Sequence, residues 1–222
     1  MAVTFDLAFT EDADAESRLE ALAALTRQTR ELMDAVALTA APEGELAEIA
    51  GELAVLTERL RAVSRQSTHP FHIGSDGTLR HVGNAVIGSG NPFALPLVIE
   101  PDPSTGEGGV RADVTFRPIH EGPPGSVHGG VSALIMDHLL GHAAALAGRG
   151  GFTGTLTLRY VRRVPYGEPL AATAAVARTE GRKTWVEGRI ADQAGTVLVE
   201  ATGLFITPTQ WPPMRDAPSV AG

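Results

Sequence analysis

Residues 121–141 read Glu121-Gly-Pro-Pro-Gly-Ser-Val-His128-Gly129-Gly130-Val-Ser-Ala-Leu-Ile-Met-Asp137-His-Leu-Leu-Gly141. Pro123 and Pro124 cannot lie inside a helix, whereas from Val131 to Ala147 nearly every position is apolar and Gly141 is the one breaker. The stretch predicts a loop feeding a mostly buried helix. Asp137 is the only carboxylate in that helix. Burying it charged and unpaired would cost several kcal/mol, so it is expected to be either paired, or wet and functional. At the helix start, free backbone N–H groups and the positive end of the macrodipole suit an anion or a polarised carbonyl oxygen at Gly129 or Gly130. Asp137 lies eight residues beyond Gly129, roughly 12 Å along the axis, and cannot reach an oxygen bound at its own helix start. If both serve one reaction, one of them comes from a second subunit whose helix runs antiparallel to the first, with two equivalent sites per two-fold dimer.

Outward from this helix, the chain divides by composition. Residues 1–66 are dominated from position 12 by Ala, Leu, Glu and Arg, which predicts two helices, the first over about 15–38 and broken by Ala40-Ala-Pro-Glu-Gly44. In the second, Leu46, Ile49, Leu53, Leu56, Leu60 and Val63 recur at steps of three and four and form one apolar seam. A helical hairpin docking on its own domain or on a partner subunit is the expectation; a recognition helix for another protein is the alternative. Residues 67–207 are read as the main domain. Strands are expected at 80–87, 95–100, 109–116, 152–164, 170–179 and 184–206, the last with a turn at Asp192-Gln-Ala-Gly195. Thr153, Thr155, Thr157 and Arg159 alternate with Leu156, Leu158 and Tyr160, which suits a strand with one polar and one buried face. Gly148-Arg-Gly-Gly151 ends the helix, and 208–222 reads as an irregular tail. One long apolar helix against a curved antiparallel sheet is an α+β arrangement.

Composition narrows the function classes. The 222 residues carry 26 Asp and Glu against 18 Lys and Arg, a net charge of -8, so nucleic acid is not the expected partner. There are no cysteines, which excludes disulfides, thiolate metal sites and a Cys nucleophile. No secretory pattern opens the sequence and no membrane span is evident, so a cytoplasmic protein is expected. His138 and His142 stand i,i+4 but lack an intervening glutamate and a third ligand, so no metal is expected. The His-Gly-Gly run also occurs in the oxyanion loop of lipase-type α/β-hydrolases, but the chain has no G-x-S-x-G elbow and no strand–helix alternation.

The 121–137 string, the Thr153 strand, Tyr160-Val-Arg-Arg-Val-Pro165, Glu180-Gly-Arg-Lys183 and Glu200-Ala-Thr-Gly-Leu-Phe-Ile206 together resemble the hotdog-fold acyl-CoA thioesterases of the PaaI-like branch. The resemblance covers about residues 80–207 and leaves out the helical first 66. It implies a hotdog fold, a long helix wrapped by a curved antiparallel sheet of about six strands, in a homodimer or homotetramer that hydrolyses an acyl-CoA substrate without a cofactor. By the same resemblance the Gly129 N–H is the oxyanion hole, shaped by His128, and Asp137 of the facing subunit is base or nucleophile. Thr153 would hold the water or the carboxylate. Gly130 would contact substrate, and Arg162, Arg163, Arg182 and Lys183, with Arg159, form a basic cluster for the CoA phosphates. Many relatives have Asn six residues before the His, where this chain has Gly122. A non-catalytic acyl-CoA or acyl-carrier binding module is the alternative from another class. A hotdog dehydratase is disfavoured, because its His and acid motifs are missing.

Overall fold

The computed structural model describes residues 13–65, 72–73 and 79–211. These fall into two compact units that divide between Pro92 and Phe93, further along the chain than the compositional change at 66/67.

The first unit carries helices α1 (Ala13–Leu38) and α2 (Glu43–Arg61) and the short strands β1 (His72–Ile73) and β2 (Leu79–Arg80), which pair with each other. Both helices follow the expected positions, and Pro42 is the N-cap of α2. On α1, the buried Arg30 donates to the carbonyls of Gly88 and Asn91, so this helix packs on the loop 81–92 of its own unit. In α2 no residue is buried. A strand over 80–87 does not form beyond Arg80. The side chain of Asn84 accepts from the N–H groups of Val86 and Ile87, and this local bonding folds the segment into a turn in place of a ladder. Of the turn-rich stretch 67–78, only His72 and Ile73 lie within the described residues.

The second unit is a six-stranded antiparallel sheet around one helix. Its elements are β3 (Glu100–Pro101), β4 (Val110–Thr115), α3 (Gly129–Leu146), β5 (Phe152–Tyr160), β6 (Pro169–Glu180), β7 (Lys183–Ala191) and β8 (Val197–Ile206). The strand order is β3-β4-β6-β7-β8-β5, with β5 at one edge. The expected strand at 95–100 shrinks to the two-residue β3, and that at 152–164 ends at Tyr160. The 184–206 run is split by its turn, where Asp192 Oδ1 accepts from the N–H groups of Ala194 and Thr196 and Gly195 takes a positive φ. These hydrogen bonds hold the Asp192 carboxyl below the usual carboxylate range.

Helix α3 buries Ile135, Met136, Leu139, Leu140, Ala143 and Ala144 against inward residues of β4, β6, β7 and β8, among them Val114, Ala172, Val186, Val199 and Phe205. Truncating Leu139 or Leu140 to Ala in such a setting costs roughly 2–5 kcal/mol. The helix ends as its sequence predicts: Gly148 is left-handed, its N–H bonds the Ala145 carbonyl, and the Arg149 N–H reaches the Ala144 carbonyl. The opposite stripe of α3, with Leu134, Asp137, His138 and Gly141, is only half-buried. No helix among the described residues is long and apolar enough to cross a membrane.

Candidate active site

The Pro/Gly loop before α3 is rigid for local reasons. Glu121 pairs with Val127 in an isolated bridge, the Gly122 N–H bonds the Ser126 carbonyl, and Glu121 Oε1 accepts from the Gly125 N–H at 2.6 Å. Glu121 also receives the Tyr166 hydroxyl, and its charge pushes the Tyr166 pKa up. A Cβ on residue 122 would lie 2.7 Å from His128 Cα, so this packing demands a glycine at 122.

His128 is the N-cap of α3. Its Nδ1 accepts from the Gly130 N–H at 3.0 Å, so that donor is already engaged, although the sequence suggests it for a ligand. The Gly129 N–H has no partner among the described residues. The carbonyl of the same peptide unit, that of His128, accepts from the N–H groups of Val131 and Ser132, which polarises the Gly129 N–H further. The Tyr160 hydroxyl donates to the Gly129 carbonyl at 2.9 Å, and a Cβ on residue 129 would lie 3.1 Å from the Tyr160 ring. The Gly129 peptide is thus held from both sides with its donor left open.

At the other end, Asp137 is half-buried and its Oδ1 accepts from the Thr153 hydroxyl at 2.9 Å. That contact depends on an irregularity. In β5, Thr153 stands opposite Phe205 and Thr155 opposite Leu204, so Gly154 is an extra residue. Phe205 is buried on the α3 side. Thr153 therefore faces the helix, whereas Thr155, Thr157 and Arg159 face away from it. The expectation of one face for all four is corrected here: the bulge re-aims Thr153.

A groove of about 620 Å³ opens beside Gly129, lined by Pro123, Ser126, Ser132, Tyr160, Arg162 and Arg163 among others. Ser126 and Ser132 are buried and their hydroxyls have no partner among the described residues, as groups awaiting a polar ligand or an ordered water would. Arg162 donates to the Val197 carbonyl at 3.2 Å. Arg182 and Lys183 lie elsewhere. Arg182 donates to the Thr207 carbonyl, and Lys183 pairs with Ile206, which in turn pairs with Phe152 at the start of β5. Arg162 and Arg163 follow the end of β5, eight residues of strand from Phe152, or roughly 25 Å. Within one chain the basic residues form two groups, one at each end of β5, because hairpin register and not sequence proximity decides their place. Arg159 is engaged with Glu200 at 3.0 Å on the outer face. Among the described residues no group of three or more His, Asp and Glu side chains converges as a metal site. His142 is partly desolvated, which pushes its pKa down.

Tyr160 escaped the sequence reading as a site residue. Its signal was present: it is the one phenol on the helix-facing side of the strand that carries Thr153.

A single helix against a curved six-stranded antiparallel sheet, with a capped glycine start and a carboxylate two turns on, defines a hotdog fold. Residues 124–199 match the model of the thioesterase superfamily. The crystal structure of a thioesterase superfamily protein superposes with a TM-score of 0.73 at 36% identity, over 83% of this chain and 94% of that one. The chain belongs to the thioesterase superfamily. Among curated relatives, acyl-coenzyme A thioesterase THEM4 of Xenopus laevis is 37% identical over 90 residues, 40% of each chain. Human acyl-coenzyme A thioesterase THEM5 is 33% identical over 88 residues, 39% of this chain and 35% of that one. The match thus spans well under half the length of these relatives.

Proposed function

We propose that this protein is an acyl-CoA thioesterase whose sites form between two copies of the chain. The observation that carries the reading is the pairing of an unengaged, polarised Gly129 N–H with a Thr153-held Asp137 on one helix, too far apart to meet within one chain. A second α3 running antiparallel brings each Gly129 to the other copy's Asp137. The half-buried stripe of α3 around Asp137 and the edge position of β5 are the surfaces such a copy would cover. The same two-fold reversal carries Arg182 and Lys183 of one copy toward Arg162 and Arg163 of the other, where the phosphates of CoA would lie. The two THEM relatives act on acyl-CoA, which supports the substrate class.

In this reading the thioester carbonyl oxygen lies on the Gly129 N–H, which stabilises the negative charge that develops there. The Asp137 carboxylate either takes a proton from a water that adds to the carbonyl carbon, or adds to that carbon itself and is released by water. In both routes the C–S bond breaks, the electron pair leaves with the CoA sulfur, and the products are free acid and CoA thiol.

The test is thiol release from a panel of acyl-CoA esters by the purified protein and by Asp137→Asn. The expected result is turnover on at least one ester that Asp137→Asn abolishes while the fold survives. Unchanged turnover in Asp137→Asn would remove Asp137 from the chemistry. Calorimetric binding of the esters with no hydrolysis of any would favour the non-catalytic binding module instead.

A further inference from the structure

We propose that α2 is a self-association helix that pairs antiparallel with α2 of a second copy of this chain. This surface is separate from the thioesterase site and the inference does not rest on the activity. The 19-residue helix buries none of its residues, and Leu46, Ile49, Leu56 and Leu60 are 37–58% exposed, with Val63 just past its end 74% exposed. Together with Leu53 these residues occupy successive a and d positions of a heptad and form one narrow seam; Val55, 63% exposed, is the one large apolar residue of α2 that lies off it.

Charge selects the occupant and its direction. The g positions beside the seam are Glu45, Glu52 and Arg59, and the e positions are Ala50, Thr57 and Ser64. Parallel pairing sets g against e of the partner helix, which here joins charged residues to neutral ones and lays the two acidic first halves side by side. Antiparallel pairing sets a against d. Ile49 then faces Leu60 of the second copy, Leu53 faces Leu56, and Leu46 faces Val63. In that register Glu52 lies beside Arg59 of the second copy, and the relation repeats by symmetry. Neither Glu52 nor Arg59 has a partner among the described residues of its own chain. The small e-position residues let the helices approach on that side. The seam is therefore complementary to itself in reverse, which is the requirement of an isologous contact.

The absence of cysteine from the chain makes the test clean. Full-length Leu53→Cys and Leu56→Cys variants are oxidised separately and as a mixture. The expected result is that the mixture yields a 53-to-56 disulfide-linked dimer well above either variant alone, and well above an Ala54→Cys control on the outer face. Adding Glu52→Arg to both variants is expected to slow cross-linking by about two- to tenfold, and adding Arg59→Glu to restore it. Efficient linkage of Leu53→Cys to itself would show parallel pairing and overturn the proposal. Cross-linking no better than the control, or indifferent to Glu52→Arg, would overturn it equally.

Discussion

Thr153, on the edge strand, donates its hydroxyl to Oδ1 of Asp137, on the helix, at 2.9 Å. A hydrogen bond to a charged group contributes about 1.5–3 kcal/mol, and here it also fixes which way the carboxylate points. Thr153→Val keeps the shape and β-branching of the side chain and removes the donor. It is expected to lower kcat by about ten- to a hundredfold with little change in Tm, measured by steady-state thiol release beside thermal unfolding.

Gly129 occupies the first helical position, where proline is well tolerated, and His128 before it is extended at φ -61 and ψ 133, as a residue preceding proline must be. Gly129→Pro thus deletes the proposed oxyanion donor without breaking the helix, at the cost of a small shift of the Tyr160 ring. Turnover is expected to fall by about a hundred- to a thousandfold while the far-UV circular dichroism spectrum is preserved. A variant retaining most of the parent's rate would move the oxyanion site elsewhere.

His128 is expected to act chiefly as a cap. His128→Ala leaves the Gly130 N–H without its acceptor and is expected to lower stability by about 0.5–2 kcal/mol in urea unfolding. His128→Asn, which supplies a cap oxygen, is expected to recover most of that loss. If turnover recovers with stability, the imidazole itself has no part in the chemistry.

His142 carries a pH dependence of known sign. Burial lowers its folded pKa, so the unfolded chain takes up the proton first as the pH falls. Its contribution is therefore constant above about pH 6.5 and is lost progressively below that value, down to the folded pKa. The denaturation midpoint of the parent is expected to drop more steeply between about pH 7 and pH 5 than that of His142→Gln.

The helix, its C-terminal cap and the β6–β8 meander were legible because each rests on local chemistry: apolar periodicity for Val131–Ala147, a left-handed glycine at 148, an Asx turn at 192. The short pieces at 80–87 and 95–100 were over-read, since β-type residues there meet side-chain bonding such as that of Asn84, and only pairing partners decide whether a strand forms. Asp137, Gly129 and Thr153 could be singled out from residue type and spacing. The engagement of the Gly130 N–H could not, because it follows from the rotamer of His128. Nor could the side on which Thr153 stands, because strict alternation assigns it to the outer face and only the extra residue at Gly154 reverses that.

Strand β5 touches the helix at two places, with Tyr160 on Gly129 and Thr153 on Asp137. In a two-fold assembly each chain would then supply the donor half of one site and the carboxylate half of the other, both secured by its own strand. Damage to the two halves is then separable between subunits. Mixed Asp137→Asn and Gly129→Pro chains, each inactive alone, would include dimers in which one site inherits both defects and its twin inherits none. Such dimers regain one working site apiece, as two faulty alleles complement when both faults fall in one shared centre and leave the other whole.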